Sequence, residues 1–265
     1  MIFIGWRDID MLISEADIVL EVVEARNPLA TRCRAVEDMA MRKGKDLIVV
    51  LNKCDFVPRS VCSAWVKFFA SEGVTAICFS SKVRRTIRDL KRLIRQRVTA
   101  KPALIAVVGY PKVGKSSLIN ALKGKNSAST SPYPGAPGYT KVSQRYKIAP
   151  NLYLIDTPGV IPPRGEDIEL QIRAQPIEKL KNPVQLAVKL IETILKANKY
   201  AFLDAYGVAD QDPIAILEKI AVNRGWLIGK EREPNIFEAA RAVIRDYLRG
   251  KIKFYVAPPT PSNTS

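Results

Sequence analysis

The sequence predicts an α/β protein: a three-layer domain on a mostly parallel sheet, followed by a small all-helical domain. Three observations carry this. Up to Gly159, apolar runs of strand length alternate with segments of helical period. One run, Leu104 to Val108, leads directly into Gly109 to Ser116, which fits G-x-x-x-x-G-K-[ST], the phosphate-loop pattern. After Gly159 the strand runs stop and only helical periods remain. The expected boundaries are 1–175 for the α/β domain, 176–256 for the helical domain and 257–265, rich in Pro and Ser, for a disordered tail.

In chain order, Asp17 to Glu24 reads as a buried strand, and Ala25-Arg26-Asn27-Pro28 as the turn leaving it. Arg34 to Lys43 is a helix closed by Gly44, and Asp46 to Leu51 a second strand. Ser60 to Ser71 is a helix with Trp65, Phe68 and Phe69 as core residues, and Val74 to Phe79 a third strand. Val83, Ile87, Leu90, Ile94 and Val98 recur at helical spacing, so Val83 to Val98 is a helix facing the core on that side. The phosphate loop feeds a helix to about Leu122. Lys123 to Thr140, rich in Gly, Pro, Ser and Thr, is a loop; Val142 to Ile148 and Leu152 to Ile155 form a hairpin. Beyond it come Val184 to Ala197, a short Tyr200 to Tyr206, a helix started by Asp212-Pro213 and one capped by Asn235 and closed by Gly250.

Composition narrows the function. The chain is 47% hydrophobic, so it builds cores rather than remaining disordered. No apolar run approaches the ~20 residues of a membrane span, so no membrane partner is expected. Cys33, Cys54, Cys62 and Cys78 form no C-x-x-C pair and there is no His, which speaks against structural zinc. Scattered cysteines without a leader sequence suggest a reducing, cytoplasmic setting; Cys33, Cys62 and Cys78 read as small buried hydrophobes. Net charge is +16, and residues 1–165 carry 27 basic against 13 acidic residues. That excess points to a polyanion beyond a nucleotide, and nucleic acid fits best.

The site chemistry rests on four motifs, all at the ends of expected strands, where open α/β sheets bind ligands. In the phosphate loop, the N–H groups of Lys112, Val113, Gly114, Lys115, Ser116 and Ser117 can face a polyphosphate. Lys115 can reach the β- and γ-phosphates, and the Ser116 hydroxyl can bind Mg²⁺. Asn52-Lys53-Cys54-Asp55 reads guanine when it stands beside such a loop. Asp55 can accept from N1–H and the 2-amino group, and adenine would leave it unpaired. Asn52 can tie the loop down and the Lys53 stem can cover the base. Ser80-Ser81-Lys82 offers the Ser81 N–H to guanine O6, with Lys82 across the other face. In Asp156-Thr157-Pro158-Gly159, Asp156 would hold Mg²⁺ through water and the Gly159 N–H would meet the γ-phosphate. Thr140 would be the second hydroxyl on Mg²⁺, although Thr130 lies in the same loop.

The motif order is unusual: Asn-Lys-x-Asp and Ser-Ser-Lys precede the phosphate loop instead of following it. In this, and in Val22-Val23-Glu24-Ala25-Arg26-Asn27-Pro28, Pro137-Gly138-Tyr139-Thr140-Lys141 and Arg245-Asp246-Tyr247-Leu248-Arg249-Gly250-Lys251, the sequence resembles the circularly permuted GTPases of the YlqF/YawG ribosome-assembly family. The resemblance implies a P-loop GTPase fold, GTP as substrate and GDP as product, Mg²⁺, and a role in assembly of the large ribosomal subunit through rRNA. The expected partner is the pre-ribosomal large subunit, with the chain a monomer off the ribosome. A competing reading keeps the RNA binding but makes bound GTP structural and its turnover incidental. Ras-like enzymes place a water-orienting Gln where this chain has Val160, which implies slow intrinsic turnover. Related potassium-activated GTPases carry an Asn at the position of Lys112. The departure leaves K⁺ activation open: the Lys112 ammonium either points to solvent or takes the place of the cation at the β–γ bridge, as a catalytic group beside Lys115 and Thr140.

For RNA, residues 82–101 carry nine basic side chains against Asp89 alone. Like charges one turn apart, as at Arg84/Arg88 and Arg88/Arg92, cost ~0.2–0.5 kcal/mol a pair, which a polyanion would remove. Arg84, Arg85, Arg88, Arg92 and Arg95 are the expected contacts, with Arg241 and Arg245 as a second stripe near the end.

Overall fold

The computed structural model describes residues 5–98, 102–123, 144–156, 161, 165 and 167–259. The chain divides after Pro162 into two compact units, the second running from Pro163 to Val256.

The first unit is a six-stranded sheet in the order β3-β2-β1-β4-β6-β5. Its strands are β1 (Ile18–Glu24), β2 (Asp46–Asn52), β3 (Thr75–Phe79), β4 (Ala103–Val108), β5 (Gln144–Ala149) and β6 (Leu152–Asp156). All neighbours run parallel except the β5/β6 hairpin. Its helices are α1 (Trp6–Glu15), α2 (Pro28–Thr31), α3 (Arg34–Arg42), α4 (Arg59–Ser71), α5 (Arg84–Arg97) and α6 (Lys115–Lys123). The central strands are Val/Ile/Leu runs because both faces are covered: every residue of β1 is buried. On one side Trp65 and Phe69 of α4 pack with Val23, Val49 and Leu51.

The chain grows outward from β1 through β2 to β3, then returns to the other side of β1 with β4. The crevice at the carboxyl ends of β1 and β4 is therefore a topological switch point, where such sheets bind ligands. Register aligns the site: Glu24 pairs with Asn52 and Asn52 with Phe79, while Val107 pairs with Asp156.

α1 was not anticipated from the sequence. It buries Ile9, Leu12 and Ile13 on one face, and the Asp8 carboxylate accepts from the Gly5 N–H at 3.1 Å as its N-terminal box.

The second unit holds α7 (Ile168–Gln171), α8 (Pro183–Ala197), α9 (Ala201–Tyr206), α10 (Pro213–Asn223) and α11 (Ile236–Leu248) around Leu190, Ile191, Phe202, Leu217, Val243 and Tyr247. Asp212 and Asn235 cap their helices by accepting from the N–H groups of Ala215 (2.7 Å) and Glu238 (3.1 Å). A two-stranded hairpin, β7 (Leu227–Ile228) with β8 (Glu233–Pro234), interrupts the expected all-helical pattern. The segment 167–175 goes with this unit rather than with the sheet. Glu169, on α7, is buried; it accepts from Arg173 at 2.7 Å and from the Tyr247 hydroxyl of α11. Of the expected tail, 257–265, residues 260–265 lie outside the described residues.

Candidate functional site

The phosphate loop leaves β4 at Gly109 and ends in α6. Gly109 has φ 148°, and a Cβ there would stand 2.5 Å from the Val22 carbonyl oxygen of β1. Gly114 has φ 102°, and a Cβ there would run into the Asn52 amide nitrogen. Glycine is required at both places because the neighbouring strand ends come too close for a side chain. Lys112, at φ 59°, adopts a left-handed turn without being glycine. The Lys115 side chain folds back into the curl: its ammonium donates to the carbonyls of Gly109 and Tyr110, each at 2.8 Å, and it is almost fully buried. Ser116 and Ser117 are exposed on the first turn of α6.

The motif that ends β2 is tied to this loop. The Asn52 side chain donates to the Val113 carbonyl at 2.7 Å and accepts from the Lys53 N–H at 2.8 Å. Lys53, at φ 61°, sends its ammonium to the Lys112 carbonyl at 3.1 Å and to the Glu24 carboxylate at 2.9 Å. Glu24 is buried and also holds Arg26, whose guanidinium lies 5.3 Å from the centre of the Phe56 ring. Neither Glu24 nor Arg26 was singled out by chemistry in the sequence. Their signal was the acid-x-Arg pair at the end of a buried strand, two residues that must pair to be buried.

A 3₁₀ turn, Cys54–Phe56, carries Asp55. Lys82 donates to the Asp55 carboxylate at 3.0 Å and lies 5.0 Å from the Phe56 ring centre. Burial pushes the Asp55 carboxyl up; the Lys82 and Ser80 hydrogen bonds outweigh it, leaving the group below its ordinary value and ionised. The loop after β3 is built by Ser80, buried, whose N–H donates to the Thr86 hydroxyl at 3.0 Å and whose own hydroxyl accepts from the Lys82 N–H at 3.2 Å. Ser81 is exposed at that turn. The Cys54 thiol is pushed up by its contact with Cys62 and then by burial, so it serves packing rather than reaction.

Of the expected residues, the structure brings together Asn52, Lys53, Lys112, Val113, Gly114 and Lys115, and separately pairs Asp55 with Ser80 and Lys82. Asp156 ends β6 level with Val107, beside the strand that feeds the loop. Thr140, Gly159 and Val160 lie outside the described residues. No cluster of three His, Cys, Asp or Glu able to hold a metal occurs among the described residues. A hydroxyl and a single carboxylate as oxygen donors still fit Mg²⁺, which fills its remaining positions with water and phosphate.

The α5 arginines Arg84, Arg85, Arg88, Arg92 and Arg95 are all exposed. Asp89 pairs with Arg92 at 3.0 Å and with Arg85 at 3.8 Å; Arg84, Arg88 and Arg95 have no ion pair among the described residues. Arg241 and Arg245 depart from the expected open stripe. Arg241 donates to the Glu178 carbonyl at 3.3 Å and lies 4.7 Å from the Phe237 ring centre, and Arg245 lies 3.8 Å from the Glu178 carboxylate.

No helix among the described residues is long and apolar enough to cross a membrane. Residues 104–220 match the family model described as 50S ribosome-binding GTPase. The chain is 35% identical over 252 residues to a GTP-binding protein of Methanocaldococcus jannaschii, covering 93% of this chain and 65% of that one. It is 33% identical over 264 residues to nucleolar GTP-binding protein 2 of Saccharomyces cerevisiae, covering 96% and 53%. The chain thus spans between about half and two thirds of the length of these relatives. In fold it is similar to the GDP-bound structure of TM YlqF, with a TM-score of 0.69 over 97% of this chain and 100% of that one at 23% identity. A GNP-bound YlqF from T. maritima gives 0.65 over 94% and 95%, also at 23%. Strands β2 and β3, which end in Asn52-Lys53-Cys54-Asp55 and Ser80-Ser81-Lys82, precede the phosphate-loop strand β4 in the chain, and with this order the fold is similar to that of YlqF, while the sequence is similar to GTP-binding proteins over nearly the whole of this chain.

Proposed function

We propose that this protein binds GTP with Mg²⁺, hydrolyses it slowly by itself, and acts in the cytoplasm in assembly of the large ribosomal subunit through rRNA. The observation that carries the nucleotide part is the pair of bonds joining base reader to phosphate loop, Asn52 to Val113 and Lys53 to Lys112. They make one surface of two motifs that lie 61 and 59 residues apart in sequence. Asp55, ionised, then selects guanine, and the loop amides with Lys115 hold the phosphates. Ser116, Asp156 and Thr140 would hold Mg²⁺, which supplies charge neutralisation at the β- and γ-oxygens. The Gly159 N–H would hold the γ-phosphate, and the Lys112 ammonium would approach the β–γ bridge, replacing a monovalent cation there.

The ribosomal part rests on the exposed α5 arginines and on the relatives' descriptions, one as ribosome-binding, another as nucleolar. In solution the protein is a monomer. The test of the site is Asp55→Asn: an amide suits the 2-oxo group of xanthine, so GTP affinity falls and xanthosine triphosphate binds. Equal GTP affinity in variant and wild type contradicts the assignment. For Lys112, turnover equal in K⁺ and Na⁺ is expected; turnover that requires K⁺ contradicts the role.

A further inference from the structure

We propose that the helical unit carries its own site for unpaired RNA bases, built on Tyr200 and Tyr255; this rests on the rRNA-binding reading above and gives it a second contact. The unit treats its tyrosines in two ways. Tyr206 donates its hydroxyl to Asp246 at 3.1 Å, and Tyr247 donates to Glu169; both serve the packing of the unit. Tyr200 and Tyr255 are 56% and 41% exposed, and their hydroxyls have no partner among the described residues. Scattered exposed aromatics are ordinary. What sets these apart is that the chain around them is fixed and basic.

Asn198, just past α8, does the fixing. Its side-chain oxygen accepts from the Tyr200 N–H at 3.1 Å, and its amide donates to the Lys253 carbonyl at 3.1 Å. One side chain thereby holds the start of α9 against the segment that follows α11. Along that segment burial alternates: Ile252 and Phe254 are buried, while Lys251, Lys253 and Tyr255 are exposed. Side chains two apart in an extended run share a side, which puts Tyr255 on the side of Lys253. Lys253 in turn reaches Asp204 of α9 at 3.5 Å, on the helix that follows Tyr200. The Lys199 ammonium lies 4.9 Å from the centre of the Tyr200 ring. Two acids are set against these lysines: Asp204, and Asp246, whose carboxylate lies 3.0 Å from the Lys251 ammonium.

Aromatic faces held in place beside ammonium groups are what single-stranded nucleic acid needs: bases stack on rings and phosphates follow the cations. A base-paired duplex hides its base faces and gains only the charge. Three lysines, Lys199, Lys251 and Lys253, stand against the two acids, so the surface keeps a net positive charge, complementary to a polyanion rather than to an acid-poor protein face.

The experiment measures binding of the full chain to a labelled short single-stranded RNA of mixed sequence, and to the same strand in a perfect duplex. Variants are Tyr200→Ala, Tyr255→Ala, Tyr200→Phe and Arg88→Glu/Arg92→Glu. The expected result is a loss of about fivefold or more for single-stranded RNA in each Tyr→Ala variant. Tyr200→Phe should retain affinity, the salt slope should stay unchanged, and duplex binding should barely move. Because Tyr200 is exposed, an intact melting temperature is expected and verifies the fold; Tyr200→Phe covers the case in which it is not. Unchanged single-strand affinity in the Tyr→Ala variants overturns the site, whether the face then meets a protein or nothing. So does an equal loss on duplex. If the arginine variant weakens binding while Tyr→Ala does not, only this site falls; if neither does, the rRNA-binding reading falls with it.

Discussion

α5 and α11 each present arginines at one-turn spacing, Arg84, Arg88, Arg92 and Arg95 on the first, Arg241 and Arg245 on the second. On α5 the side chains stand in solvent and Asp89 is the acid within reach on the helix. On α11 the arginines are half-buried: Glu178, from the 3₁₀ turn Ile177–Lys179, and Glu238 surround them. The difference teaches that a basic stripe on a helix stays open to solvent where the fold has not supplied its own acids. The α5 charges stand largely unanswered among the described residues, while those of α11 help hold a turn onto a helix.

The largest expected effect separates the two directly. Reversing Arg88 and Arg92 to Glu should weaken rRNA binding by about tenfold or more at low salt and lower the slope of log affinity against log salt by about 2. The melting temperature should hardly change. Reversing Arg245 to Glu should do the opposite: rRNA affinity stays within about twofold, while about 0.5–1 kcal/mol of stability is lost as three acids meet. An equal loss of RNA binding in both variants would erase the comparison.

Glu21 carries the contrast to its extreme, an acid buried so fully that its neutral form is favoured. It lies wholly buried on β1 and accepts from the Cys33 N–H at 2.5 Å. Burial, and then the neighbouring Glu37 carboxylate, push its carboxyl well above the ordinary 4.5. Folded Glu21 therefore holds its proton more tightly than unfolded Glu21. It favours the native state at low pH, and that advantage drains away as pH rises above about 4.5 towards the folded value. Glu21→Gln keeps the neutral shape, so its stability relative to wild type should climb as pH rises above about 4.5. A difference independent of pH in denaturant titrations would contradict this.

How much of this was legible in the sequence follows from the kind of signal. β4, the phosphate loop and α6 were readable because an apolar run, two glycines and Lys115-Ser116 agree in one short stretch. The grouping of Asn52 and Asp55 with that loop followed from motif chemistry, and the Asn52–Val113 bond shows how the grouping is made. α1 was missed although Ile9, Leu12 and Ile13 have helical spacing, because three apolar positions among Asp8, Asp10 and Glu15 make too short a pattern to stand out before the first strand. The β7/β8 hairpin was missed because its strands are two residues long, too short for any period. The fate of Arg241 and Arg245 was hidden for a different reason. Glu178 lies 63 residues before Arg241, and only tertiary folding brings the two together.

The measurement that bears most directly on the account is GTP turnover with and without large-subunit precursor particles, in wild type, Arg88→Glu/Arg92→Glu and Arg245→Glu. The account predicts slow turnover alone, acceleration by particles in wild type and in Arg245→Glu, and loss of that acceleration when α5 is reversed. No acceleration at any salt concentration, or acceleration that survives reversal of α5, would contradict it.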